Sequence, residues 1–376
     1  MHIALSAIAF ILLATTSANA ADVISTEKTK IKVETFADGL KNPWGLVFLP
    51  DGRALVTERK GRLRIVSPEG TLSAPLDGVP KVDARGQGGL LDVAIDPDFA
   101  KNNYVYLSFA EPGDGGTNST AVARGVLTTT GLDDVKVIFS QVPKVASTLH
   151  YGSRIIFDNG GHMFIALGER SKVAFRGQAQ DRNSDLGKVV RLNRDGTIPN
   201  DNPYVGKQGM RPEIWSYGHR NQQGAAINPW TGELWTNEHG PKGGDEINIA
   251  RAGKNYGWPM VSYGINYDGT PVGDGAATGP AYVDPIHYWV PSIGVSGMAF
   301  YTGDAIAPWT GNLFVGGMAI PHLVRLELDG DKIVHEEALL EDMGSRIRTV
   351  KQGPDGALYL LTDDGKDSIL RISAAP

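Results

Sequence analysis

Residues Gly45–Val66 read GLVFLPDGRALVTERKGRLRIV. Two apolar runs flank Pro50-Asp51-Gly52, and a second turn at Lys60-Gly61 leads into a third run. Pro presets the turn dihedral, Asp bonds its own backbone and Gly tolerates a positive φ. The stretch therefore reads as a meander of three short antiparallel strands. The same grammar recurs five times. It returns in LLDVAIDPDFAKNNYVYLSFA from Leu90 and in SRIIFDNGGHMFIALGE from Ser153, closed by LGKVVRLNRDG from Leu186. It follows in GAAINPWTGELWTNE from Gly224 and in GMAFYTGDAIAPWTGNLFVGGM from Gly297, closed by HLVRLELDG from His322. The last copy is IRTVKQGPDGALYLLTDDGKDSILRIS from Ile347.

Six β units, none able to bury both faces alone, call for stacking. The repeat spacing of roughly 45 to 75 residues exceeds that of the commonest propeller repeats. The excess lies in the loops Ser171–Asp185 and Tyr263–Pro285. Radial closure leaves only short protected edges, so the fold expected is all-β, a six-bladed β-propeller. No run of helical period and length follows the amino terminus. No linker interrupts the chain, so 21–376 is expected to be a single propeller domain.

Bulk composition narrows the function. The 376 residues carry a net charge of −6 without a basic run, which argues against nucleic acid. There are 47 Gly and 22 Pro, as many turns require. There is no Cys, which excludes disulfides, thiolate metal sites and thiol nucleophiles. An uncharged apolar run, Ile3 to Leu13, precedes the small-residue pattern Ala18-Asn19-Ala20. It reads as a signal peptide over 1–20, cleaved after Ala20, and implies a periplasmic or secreted protein. The run is too short to cross a bilayer, and no later segment reads as a membrane span.

Propellers bind ligands where loops of different blades converge, so chemistry is sought in the inter-strand loops. In EHGPKGGDEIN, Gly240 and Pro241 offer carbonyls, while Asp245 and Glu246 offer carboxylates. Ca²⁺ takes about six to eight such oxygens. The stretch is otherwise a solvated acidic turn. In WSYGHRNQQG, Arg220 presents a planar fork suited to carboxylates, unless the loop is simply polar surface. In SRIR, Arg346 and Arg348 share one face of an extended segment. Two adjacent guanidiniums ask for an anion between them, either a ligand or a protein acid such as Asp342. In STLHYGSR, His150 suits a general base, with Glu169 one hairpin on to orient it, or else it is a hydrogen-bonded surface residue. Gln87, in RGQGG, lets an amide approach a flat ligand closely or belongs to a plain turn.

Taken in order, GQGGLLDVAIDPDF, LHYGSRIIF, SYGHRNQQG, EHGPKGGDEIN, NYGWP and SRIRTVKQGPDG resemble the soluble quinoprotein sugar dehydrogenases. The resemblance spans nearly all of the chain after residue 20, and the aldose sugar dehydrogenase branch is the nearest. It implies pyrroloquinoline quinone (PQQ) and Ca²⁺ as cofactors. It implies an aldose oxidised to a lactone, and an electron acceptor that the sequence does not name. By this resemblance His150 is the catalytic base and Glu169 its supporting acid. Gln87, Arg220, Asn221, Arg346 and Arg348 hold PQQ. The carbonyls of Gly240 and Pro241 bind the Ca²⁺ next to the quinone, while Glu246 and Tyr256 belong to a further Ca²⁺ site. One position departs: Ala319 stands where the family commonly has a Lys on PQQ. Two other classes compete, a Ca²⁺-dependent lactonase with several carboxylates on its metal and a non-catalytic periplasmic binding propeller.

Overall fold

Each of the six meanders forms its own antiparallel sheet, and the sheets stand side by side around one axis as a six-bladed propeller. The computed structural model describes residues 22–376, so the segment expected to be cleaved lies outside the described residues. Blade 1 has three strands, Pro43–Phe48, Ala54–Glu58 and Arg62–Val66. Blade 2 runs from Leu90–Ile95 through Tyr104–Pro112 and Asn118–Leu127 to Leu132–Ser140. Blade 3 comprises Gly152–Phe157, Met163–Leu167, Lys188–Leu192 and Ile214–Tyr217. Blade 4 comprises Gln222–Ile227, Leu234–Glu238, Asp245–Ile249 and His287–Trp289. Blade 5 comprises Val295–Phe300, Leu313–Gly317, Leu323–Asp329 and Lys332–Leu339.

Blade 6 takes Ile347–Gln352, Leu358–Thr362 and Ile369–Ala374 from the carboxyl end. Its outer strands, Lys30–Ala37 and Asp22–Ser25, come from the amino end. Val33 pairs with Ile372 and Thr35 with Leu370, so the ring is closed by joining the two ends of the chain. The repeat pattern read from Gly45 onward did not include these two strands. Among the described residues the only α-helices are single turns, and none is long and apolar enough to cross a membrane.

The second strand of a blade is sandwiched between neighbouring blades, so both of its faces are covered. ALVTE, MFIAL, LWTNE, LFVGG and LYLLT are buried at every position. This is why these segments read as continuous apolar runs rather than alternating ones. Burying both faces of such a strand contributes on the order of 2 kcal/mol per large aliphatic side chain.

At the axis, the innermost strands meet through Arg154 of blade 3, which is 2% exposed. Its Nη1 donates to Asp92 Oδ1 of blade 2 at 2.8 Å. Nε donates to the Gln223 carbonyl of blade 4 and Nη2 to Thr349 Oγ1 of blade 6. The guanidinium stacks 4.3 Å from the ring centre of Trp44 in blade 1. Asp92 is satisfied in turn, since Oδ2 accepts the Ile155 N–H at 2.9 Å. Asp92→Ala should therefore strand a buried charge and destabilise the protein by about 3–5 kcal/mol. Chemical denaturation measures this, and a loss under about 1 kcal/mol would rule out a structural role for the pair.

Candidate active site

On the axis, above Arg154, the loops enclose a cavity of about 690 Å³. His150, Gln87, Arg220, Asn221, Arg346, Arg348, Gly240, Pro241 and Ala319 all line it, drawn from every blade but the first. Blade 1 adds Trp44 and Arg59.

His150 is 7% exposed and sits just before the innermost strand of blade 3 with φ at 52°. A non-glycine residue pays strain in that region, and such strain concentrates at functional sites. Two contacts hold it. Its N–H donates to Gln87 Oε1 at 2.8 Å. Its Nδ1 lies 3.2 and 3.1 Å from the two oxygens of Glu169, which is 1% exposed. The ionised carboxylate makes Nδ1 the protonated nitrogen and leaves Nε2 with its lone pair. Among the described residues nothing hydrogen-bonds Nε2. Burial is the main cause that lowers the His150 pKa, helped by Arg220 and Arg170 and opposed by Glu169. Burial would raise Glu169, but His150, Arg220 and the Ser171 N–H together hold it below its usual value. The pair is thus a neutral imidazole on a charged carboxylate, the form a general base needs at neutral pH.

The opposite wall is cationic. Arg348 donates to Asp363 Oδ2 through Nε at 3.1 Å and through Nη2. Arg346 Nη2 approaches the same oxygen at 4.0 Å. The acid between the two arginines is thus Asp363, not Asp342, and Arg346 lies one residue before its strand with a half-exposed side chain. Arg220 lies 5.2 Å from the ring centre of Trp258, donates from Nη1 to the His239 carbonyl and has a buried Nε without a partner. No carboxylate reaches its guanidinium within 4.0 Å among the described residues. Asn221 is fixed by several contacts. Its Oδ1 accepts from Gly152 N and Gln223 Nε2, and its Nδ2 faces His239 Nδ1 at 3.2 Å. His239 donates from Nε2 to the Val295 carbonyl, and burial pushes its pKa down to about 4.

The carboxylates Asp245 and Glu246 have different fates. Asp245 is no free ligand, because it accepts N–H bonds from Gly240, Gly294 and Val295. It shapes the loop so that the carbonyls of Gly240 and Pro241 accept no hydrogen bond among the described residues. Two unsatisfied carbonyls at a cavity wall suit a hard cation. Glu246 and Tyr256 come together behind this loop at a second cavity of about 10 Å³, next to Glu238. Burial and the neighbouring Glu238 raise the Glu246 pKa well above normal. The Tyr256 hydroxyl is already engaged by Ile249 O and Arg251 N, so only its carbonyl is left for an ion. Among the described residues no three His, Asp or Glu converge on one metal-sized point.

Local reading of the sequence missed the supporting groups. Glu238 accepts from His219 Nδ1 at 2.8 Å and from the Arg220 N–H, and so holds the SYGHRN turn. The signal available for it was its place at the end of the buried strand LWTNE. Arg59, Trp44 and Asp363 were missed because each lies at a blade edge without a motif of its own.

With the geometry in hand, the chain can be compared with known proteins. Residues 40–371 match the family model described as Glucose / Sorbosone dehydrogenase. Aldose sugar dehydrogenase YliI of Escherichia coli K12 is 47% identical over 347 residues, 91% of this chain and 93% of that protein. A crystal structure described as glucose dehydrogenase superposes with a TM-score of 0.88 at 52% identity, covering 91% of this chain and 99% of the other. The PQQ-bound form of aldose sugar dehydrogenase from Streptomyces coelicolor superposes with a TM-score of 0.74 at 29% identity, covering 92% and 99%. The chain belongs to the glucose/sorbosone dehydrogenase family, the sugar-oxidising quinoprotein propellers that its motifs resemble.

The His150–Glu169 pair generates a titration prediction. His150 should be neutral at pH 7 with the proton on Nδ1, and its pKa should lie below the ordinary 6.5. Glu169→Gln removes the charge that raises it, so the pKa should fall further. NMR of labelled histidine across pH 4–8 checks both. A pKa above 6.5, or an upward move in Glu169→Gln, would contradict the arrangement.

Proposed function

We propose that this chain oxidises the anomeric carbon of aldose sugars to the lactone, with PQQ and Ca²⁺ as cofactors. The observation that carries the reading is one cavity with a carboxylate-held neutral histidine facing arginines that have too few acids to pair with. A tricarboxylate disc suits that imbalance. Arg220, Arg346 and Arg348 would bind its carboxylates by charge-assisted, two-pronged hydrogen bonds. Asn221 and Gln87 would edge it, with Gln87 also fixing the His150 backbone. The carbonyls of Gly240 and Pro241 would ligate one Ca²⁺, and Glu246 with the Tyr256 carbonyl a further one.

When bound, PQQ supplies a quinone that accepts the hydride from the anomeric carbon, with Ca²⁺ as its Lewis acid. His150 Nε2 takes the proton of the anomeric hydroxyl. Glu169 keeps Nδ1 protonated and stabilises the imidazolium that forms. The sugar thereby loses two electrons and two hydrogens, and an electron acceptor must remove the electrons from the site. The relatives named above support the sugar and the quinone. The hydrolase alternative asks for several carboxylates around a metal at the channel, whereas among the described residues the two that line this cavity, Asp245 and Asp363, are already engaged. The proposal includes export: residues 1–20 are removed after Ala20, and 21–376 work as one catalytic unit in the periplasm or outside the cell.

Reconstitution tests the reading. Purified protein given PQQ and Ca²⁺ should reduce a dye when aldoses are added. Failure with every aldose and simple alcohol, at saturating PQQ, would overturn it. His150→Ala should keep PQQ affinity and lose turnover by at least about 10²-fold. A near-normal rate would take His150 out of the role.

A further inference from the structure

The proposed function leaves two cavity cations unused, the exposed Lys242 and the half-buried Arg59. Arg59 follows the second strand of blade 1 and lines the cavity next to blade 6. Its main chain is fixed on both sides, since its N–H donates to Asn42 O and its carbonyl accepts from Leu90 N. Its side chain is not neutralised. Nη1 donates only to the Gly86 carbonyl at 3.1 Å, in the loop that carries Gln87. Nε is buried and has no partner. Among the described residues no carboxylate lies within 4.0 Å of its guanidinium. The acid of blade 6 that lines the cavity, Asp363, is already shared by Arg348 and Arg346. The charge of Arg59 is felt at Arg348 as a repulsion.

Three guanidiniums and one carboxylate therefore leave two positive charges on the wall between blades 6 and 1. Nε is closed off from the cavity, but Nη2 has no hydrogen-bond partner among the described residues and is not closed off, so it is free to donate to a ligand in the cavity. On the other flank of the Arg346–Arg348 pair the wall is apolar, because Ala319 stands there.

We infer that Arg59 is a further cofactor-binding residue, pairing with a carboxylate of PQQ through its free N–H groups on the blade 1 side of the cavity. The inference rests on the reading under Proposed function. Arg59 acts on affinity and orientation rather than on the proton. It also ties the Gly86-Gln87 loop, and through Gln87 the His150 backbone, to the bound disc.

Equilibrium dialysis of PQQ against the whole protein with Ca²⁺ present, read by PQQ absorbance, tests this without recourse to turnover. Arg59→Gln should weaken binding by at least about tenfold, as expected for loss of a hydrogen bond to a charged group. Lys60→Gln removes the same charge from an exposed neighbour and should leave affinity within about twofold. Thermal unfolding of each variant checks folding, and Arg59→Met replaces Arg59→Gln should the latter not fold. If the unaltered protein binds no PQQ, the reading of the cofactor fails. If it binds PQQ and both Arg59 variants bind as tightly, the cofactor stands and the role of Arg59 is overturned.

Discussion

A single buried guanidinium fixes how the blades of this propeller face one another. Arg154 is held by Asp92, Gln223 and Thr349 and stacks on Trp44, so five of the six blades meet at one planar group. Apolar packing between blades is strong but lets them slide, because it has no preferred direction. A hydrogen-bonded fork has direction, and each prong accepts a partner only at one rotation of the neighbouring blade. Burying the charge is expensive, and what offsets the expense is complete pairing on both sides of the ion pair. The same group also holds Trp44 and Gln223, which line the cavity. Asp92 and Thr349 are neighbours of the cavity-lining Leu91 and Arg348, so the hub and the site cannot move independently.

The second constraint is a register slip repeated in every blade. The innermost strands shift between Pro43 and Leu46, Leu90 and Val93, Gly152 and Ile155, Gln222 and Gly224, Val295 and Met298, and Ile347 and Thr349. A bulge puts two residues opposite one and re-aims the side chains next to it. Trp44, Leu91, Gln223 and Arg348 all fall within these slips, and all line the cavity. The slips also bring neighbouring backbones into close approach. A Cβ on Gly45 would stand 2.8 Å from Val93 N, and one on Gly297 2.6 Å from Thr349 Cα. On blade 3 the distortion extends to His150 and Ser153, with φ of 52° and 91°. His150 is thus mounted on an entry with two non-glycine residues at positive φ.

What was legible in the sequence follows the range of the forces involved. Turn chemistry and strand runs act over a few residues, so the six meanders could be read from Gly45 onward. The closing strands could not, because Lys30–Ala37 finds its partner over three hundred residues away and carries no turn signature pointing there. The His150–Glu169 contact spans one hairpin, so a histidine backed by a carboxylate was readable from the sequence. Asp363, by contrast, sits in an ordinary-looking Thr-Asp-Asp-Gly turn, and only the pairing of Ile347–Gln352 with Leu358–Thr362 brings it between Arg346 and Arg348. Asp245 misled for the same reason. Its carboxylate looked available to a metal, yet Gly294 and Val295 from the next blade take it.

The cationic wall and the neutral His150 imidazole belong to one electrostatic arrangement. Glu169 is required to hold the proton on Nδ1, but a carboxylate alone would raise the pKa of His150 and protonate it. Burial and the positive charges of Arg220 and Arg170 pull the other way and prevail. Arg220 is the member of this balance that faces the cavity without a protein acid to neutralise it. The charges that hold His150 neutral thus belong in part to the same wall that borders the cavity.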